Sequence, residues 1–217
     1  MDFSQTLNHA AEKLISLDKP IKIISHIDTD GITSASILVK TLQRLDKNFS
    51  LSFVKQLSTK ILSQLKQENY PNYIFLDLGS ANIQEIKDAL KEKQIFILDH
   101  HLPQNIENDF IHINPHLFGN NGDLEISGSG IVYFLSKTIN FENKNLSCLA
   151  IIGAIGDMQE KKGFTGLNNE ILQDSIDSNK IDIHIGLRIF GSYTRPLYKL
   201  LQYSTDPYIP GITGNEE

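Results

Sequence analysis

The chain has 217 residues, 40% hydrophobic and 21% charged, with a formal net charge of −6. That size buries one substantial core, or one core and a small appendage. The acidic balance excludes a protein that coats nucleic acid through bulk positive charge, and a single cysteine, Cys148, excludes an internal disulfide framework.

Helix and strand patterns alternate through the first half. Leu7, Ala11, Leu14 and Ile15 predict a helix over 4–17 that ends near Pro20. A strand over 21–25 precedes a helix over 33–45, then a weaker strand over 50–54 and a helix near 58–67. Strand 73–77, helix 82–92, strand 94–98 and a short strand at 110–113 continue the pattern. This alternation predicts an α/β fold with a doubly wound, mainly parallel five-stranded sheet and helices on both faces. After residue 120 only helices are expected, at 129–140, 146–157, 167–178 and 196–203. The last stretch, STDPYIPGITGNEE, lacks periodicity and reads as a linker. The expected organisation is a core over 1–160 and a helical extension with linker over 161–217, leading toward a second domain absent from the chain. No apolar run reaches the ~20 residues of a membrane span. The N-terminus lacks the pattern of a signal peptide, so a cytoplasmic protein is expected.

Three strand-like runs end in acids. The segments are IKIISHIDTDG (21–31), YIFLDLG (73–79) and QIFILDHH (94–101), and Asp157 closes the apolar run LAIIGAIGD. Acids and histidines at strand ends suit the carboxyl edge of a parallel sheet, where such folds bind ligands. A strand order of 2-1-3-4-5 brings these ends together. Carboxylates converging there repel one another unless a cation neutralises them, and a pair of divalent ions is the simplest neutraliser. In the first segment the polar side chains alternate, so an extended turn presents His26, Asp28 and Asp30 on one side, with Gly31 turning the chain into the next helix. Asp28 or Asp30 could instead simply cap that helix, but capping explains one acid and not a histidine with two. Asp77 could likewise close a turn. Asp99-His100-His101 has few purely structural uses. Carboxylate and imidazole together suit Mn, Co, Zn or Fe, and the excess of carboxylates leans toward Mn²⁺ or Mg²⁺. Gly153 and Gly156 are spaced to let backbones approach closely before Asp157.

The ordered set SHIDTDGITSA, FLDLGS, ILDHH and GAIGD resembles the four motifs of the DHH phosphoesterase superfamily. With acids two and four residues after the histidine, the first motif is most similar to that of archaeal RecJ-like nucleases, as are INPHLFG, EISGSG, GFTGLNNEIL and TRPLYKLLQYSTDPYIPGITG. The resemblance implies a two-metal site with Mn²⁺, or Mg²⁺ or Co²⁺ in its place. His26 and Asp28 would hold one ion and Asp30, His100 and Asp157 the other, with Asp77 bridging. Asp99 would orient a histidine ring, and His101 would contact the scissile phosphate or aid the leaving group. The implied function is a metal-dependent exonuclease acting on single-stranded DNA or RNA. The alternatives are a small-substrate phosphoesterase, on oligoribonucleotides, dinucleotides, nucleotide bisphosphates or pyrophosphate, and a replisome component that binds the GINS complex. Family members usually continue into a glycine-rich substrate-binding domain, so substrate grip is expected to be weak here.

Other candidates rest on the residues alone. Ser129 and Gly130 open a predicted helix whose amides could hold a phosphate, or could serve only as a cap with close packing. Asn114 and His116 leave the fifth strand at the same edge and are candidate substrate contacts. Arg195, before Pro196, could read a phosphate, and Arg188, Lys161 and Lys162 are the other nearby cations. Cys148 is expected to belong to the core.

Overall fold

The computed structural model describes residues 2–184, 189, 191 and 194–215. It divides into two compact units, Met1–Ile181 and Asp182–Glu217.

The first unit contains a five-stranded sheet in the order β2-β1-β3-β4-β5 with every neighbouring pair parallel. Its strands are β1 (Ile21–His26), β2 (Phe49–Val54), β3 (Asn72–Leu76), β4 (Gln94–Leu98) and β5 (Ile111–Ile113). The helices are α1 (Phe3–Ser16), α2 (Thr29–Arg44), α3 (Thr59–Glu68), α4 (Ile83–Ala89), α5 (Gly128–Ile139), α6 (Ser147–Gly156) and α7 (Gly166–Asp177). The expected doubly wound α/β fold and strand order are what the chain adopts. Among the described residues, no helix is long and apolar enough to cross a membrane.

Alternation along the central strands builds two cores. Ile23, Ile74, Leu76, Phe96 and Leu98 face a core shared with α1, α2, α5, α6 and α7. Ile24, Tyr73, Phe75, Ile95 and Ile97 face the opposite core with α3 and α4. Strands covered on both faces read as near-continuous apolar runs, which is why the sequence shows them so plainly. Asp2 and Gln5 form a reciprocal capping box that starts α1.

The first motif differs from expectation. No extended turn follows β1, because Asp28 caps α2 through a 2.9 Å bond from the Gly31 amide and Asp30 lies inside the first helical turn. Gly31 does not turn the chain either. It sits in the helix where a Cβ would come 2.2 Å from the His26 carbonyl oxygen, so close approach is what requires glycine. Two 3-10 helices, Pro115–Phe118 and Phe141–Leu146, lie between these elements, each opened by an asparagine side chain, Asn114 or Asn140.

Register places the motifs. Ser25 pairs with Leu76 and Leu76 with Leu98, so His26, Asp77 and Asp99 each occupy the next position at the carboxyl edge. The Asp77 amide extends the ladder to the Leu98 carbonyl (2.9 Å), and the Asp99 amide to that of Ile113 (3.2 Å). β1 lies where the strand order reverses, the usual position of a ligand crevice in such sheets. In the second unit, α8 (Leu197–Tyr203) precedes a turn-rich segment.

Candidate metal centre

Asp77 lies at the middle of the cluster. Its carboxylate is almost fully buried, and its backbone has φ +57, a left-handed conformation that costs a non-glycine residue about 1–2 kcal/mol. One oxygen, Oδ2, stands 3.4 Å from His26 Nδ1, while Oδ1 stands 3.2 Å from His100 Nε2. On the first side, His26 Nδ1 is 2.7 Å from Asp28 Oδ2. On the second, His100 Nε2 is 3.2 Å from Asp157 Oδ2 and 3.9 Å from Asp30 Oδ2. His26, Asp28 and Asp77 thus form one set of donor atoms, Asp30, His100 and Asp157 another, and Asp77, His100 and His101 a third, each tight enough to hold a metal ion.

Backbone carbonyls orient both imidazoles. His26 Nε2 meets the Lys55 carbonyl at 3.1 Å, leaving Nδ1 for the acids. His100 Nδ1 meets the Gly122 carbonyl at 2.8 Å, leaving Nε2. Fixing one ring nitrogen selects the tautomer that exposes the other as a ligand. Asp30 is anchored by the amides of Gly128 (2.6 Å) and Ser129 (3.0 Å) at the start of α5. The α5 N-terminus is therefore occupied by this carboxylate, with Gly130 N turned to Ser127 Oγ (3.3 Å). The Ser129 amide is taken by Asp30 and that of Gly130 by Ser127, while Gly130 packs on Ile126 and Ile171, so neither amide faces an open phosphate site.

His101 differs from its neighbour. Its Nδ1 is 2.7 Å from Asp99 Oδ1, and its side chain is 53% exposed. Asp99 is itself fixed by the Ser80 amide at 2.8 Å. Asn114 is fully buried and donates to Ser80 Oγ (2.9 Å) and the His101 carbonyl (2.8 Å), so it braces the histidine and is closed off from solvent. His116 is half-buried beside it, its amide bonded to Asn114 Oδ1 at 3.0 Å. Lys161 and Lys162 are exposed after Asp157. Arg195 is exposed in the second unit, and Arg188 lies outside the described residues. Cys148 is a half-buried free thiol of α6.

Charge accumulates accordingly. Burial, reinforced by Asp77 and Asp157, pushes Asp30 up to about 7. Burial and the nearby Asp77 carry Asp157 to about 6 against the pull of His100. Burial would raise Asp77 as well, but His100 and His26 outweigh it and hold the carboxyl well below the usual range. Contact with Asp77, opposed by burial and helped by Asp28, raises His26 to about 9. His100 reaches about 10 because Asp77 and Asp30 overcome its burial. Protons on the imidazoles thus supply the positive charge that balances the acids. Both Asp77 oxygens, Asp157 Oδ2 and His26 Nδ1 are buried without a well-directed hydrogen bond. Buried polar atoms normally find partners, and a divalent ion on each side of Asp77 would supply them. The donor set fits such ions.

Residues 20–156 match the DHH family, N-terminal domain, and residues 189–217 match the DHH-CID domain. The chain belongs to the DHH family, a family of phosphoesterases. An uncharacterized protein of Methanocaldococcus jannaschii is 37% identical over 209 residues, covering 93% of this chain and 47% of that protein. The single-stranded-DNA-specific exonuclease RecJ of Bacillus subtilis is 27% identical over 166 residues, covering 70% of this chain and 21% of that protein. The chain thus spans less than half the length of these curated relatives. In fold it is similar to the crystal structure of an exonuclease RecJ bound to manganese, with a TM-score of 0.65 and 19% identity over 82% of this chain and 48% of the other.

The carbonyls of Lys55 and Gly122 and the amide of Ser80 have no counterpart among the expectations, because backbone groups leave no mark on residue type, and the amides at the start of α5, expected to suit a phosphate, hold Asp30 instead.

Proposed function

We propose that this chain is the catalytic region of a two-metal phosphodiesterase that removes nucleotides from single-stranded DNA or RNA. The observation that carries the reading is Asp77, whose two buried oxygens lack a well-directed hydrogen bond and face separate donor sets. His26 and Asp28 would hold one ion, Asp30, His100 and Asp157 the other, and Asp77 would share its oxygens between them. Oxygen donors predominate over imidazole, which favours Mn²⁺, with Mg²⁺ or Co²⁺ as substitutes. Bound ions would supply a water acidified to near neutrality and draw off charge developing on the phosphoryl oxygens.

The remaining work falls to the chain. Asp99 raises the pKa of His101 and holds its Nδ1, leaving a half-exposed imidazolium to hydrogen-bond the scissile phosphate and protonate the leaving oxygen. Asn114 and Ser80 keep that pair in place. No side-chain nucleophile is required. The likeness to a single-stranded-DNA-specific exonuclease supports a strand as substrate.

The test is hydrolysis of single-stranded DNA, RNA oligomers, dinucleotides and pyrophosphate with Mn²⁺, Mg²⁺ and Co²⁺. Release of mononucleotides from strands, abolished by His100→Ala, is expected. Turnover confined to dinucleotides or pyrophosphate identifies the small-substrate alternative. No hydrolysis with any of the ions overturns the reading.

A further inference from the structure

His100 presents Nε2 only while Nδ1 keeps its proton on the Gly122 carbonyl, and that carbonyl has a second partner. Gln159 Nε2 donates to the same oxygen at 2.9 Å. Gln159 is 4% exposed and follows the end of α6 two residues after Asp157. Its amide has one workable orientation, because the Gly122 carbonyl can only accept. With the nitrogen engaged there, Oε1 faces Asn168, which is fully buried at the start of α7 and donates to it through Nδ2.

The loop that carries Gly122 needs such support. Residues 122–125 form turns outside any helix or strand. Besides its own turn bonds, the loop is tied down by the segment that follows Asp157: the Asn168 amide bonds the Glu125 carbonyl at 2.7 Å, and Thr165 Oγ1 the Leu124 carbonyl at 3.3 Å. Gln159 is the member of that segment that reaches the one carbonyl in contact with His100.

We infer that Gln159, locked by Asn168, is a positioning residue for the metal centre: it holds the Gly122 carbonyl where it fixes the His100 ring with Nε2 toward Asp77 and Asp157. The carbonyl has two lone pairs, and each donor fills one. Removing the glutamine donor leaves the carbonyl free to swing away from His100, so the ring can rotate or change tautomer. Asp157 and Gln159 lie in one short stretch, so the same backbone places a candidate ligand and the brace of its neighbour. This inference rests on the two-metal reading of the centre.

Mn²⁺ titration of the whole chain by calorimetry tests it, with ring ¹⁵N shifts of His100 recorded in saturating diamagnetic Mg²⁺, where a ligand ring carries a single proton. Gln159→Glu keeps the size and the acceptor for Asn168 but faces the Gly122 carbonyl with an oxygen. Gln159→Met fills the space without a donor. Asn168→Asp replaces the donor to Gln159 Oε1 by an acceptor, which reverses the glutamine amide and turns its nitrogen from Gly122. All three are expected to weaken one of two Mn²⁺ sites about 10- to 100-fold, the usual effect of losing a partner behind a ligand. The other site keeps its affinity, and the His100 shifts move away from the Nδ1-protonated tautomer. A purely structural role would lower the melting temperature and leave affinity and tautomer unchanged, and that result overturns the inference while the two-metal reading stands. A wild-type chain that binds no Mn²⁺ removes both.

Discussion

Asp77 Oδ1 and His100 Nε2 face each other at 3.2 Å, while the other oxygen of the same carboxylate faces His26 at 3.4 Å. A residue placed between two donor sets, in a left-handed backbone conformation and without solvent, has no neighbour that can take over its position. Asp77→Ala is therefore expected to abolish turnover and to remove Mn²⁺ binding at both sites, as measured by titration. Retention of one full-affinity site would show that the carboxylate serves only one ion.

The two adjacent histidines should separate in their effects. His100→Ala is expected to remove a metal site. His101→Ala should leave Mn²⁺ affinity largely intact while lowering the rate about 10²- to 10⁴-fold, the range for a lost general acid. The reason is that Asp99 already occupies His101 Nδ1 at 2.7 Å. Equal loss of metal in both variants would place His101 among the ligands.

Proton linkage gives a third expectation. In the metal-free protein His26 and His100 have folded pKa values of about 9 and about 10, above their ordinary 6.5. Groups raised in this way contribute stability that is present below 6.5 and lost as pH rises through the folded values. Asp30 and Asp157, raised to about 7 and about 6, act in the same direction at lower pH. Thermal stability without metal should therefore fall between about pH 6 and pH 10. Saturating Mn²⁺ should flatten the fall, and its binding at pH 7 should release protons, seen as a buffer-dependent heat. A metal-free stability that rises across that window would contradict the charge balance described.

Close packing behind Asp30 is the fourth test. A Cβ on Gly153 would stand 2.3 Å from Asp30 Oδ1 and 2.1 Å from Ser129 Oγ, and one on Gly156 would stand 2.5 Å from Thr29 Cβ. Gly153→Ala is expected to cost about 1–3 kcal/mol, the range for overpacking, and to weaken metal binding by displacing Asp30. Denaturant unfolding and Mn²⁺ titration of the same variant check both effects.

Asp174 offers a control away from the centre. Its carboxylate accepts bonds from the buried Tyr133 hydroxyl (2.7 Å) and from Lys137, and pairs with Lys144 at 3.1 Å. Burial would raise its pKa, but Lys137 and Tyr133 keep it below the ordinary 3.8, so its contribution is present above that value and lost as pH falls through the folded one. Asp174→Ala should cost about 2–3 kcal/mol in denaturant unfolding, as for lost bonds to a charged group. Mn²⁺ affinity should remain unchanged.

Taken by itself, the sequence determined the alternation of strands and helices, the order of the sheet, and the acids and histidines gathered at its carboxyl edge. Those features are legible because strand burial on both faces writes apolar runs, and the residues after each run share one edge through the register of β1, β3 and β4. Helices α5, α6 and α7 lie within one residue of their expected bounds, since their apolar spacing and caps are local properties. Only the tertiary structure decided how the edge works. Asp28 proved to cap α2 while facing His26, so capping the helix does not remove the acid from the cluster. The left-handed backbone of Asp77 runs against its residue type and is held by the surrounding fold. Asn114 looked like a substrate contact and is buried behind His101, because a position at the right edge does not fix which way a side chain points. The carbonyls that orient His26 and His100 come from residues 29 and 22 positions away in the chain. Every residue but proline carries the same backbone groups, so which carbonyl reaches which ring is settled only when the loops pack.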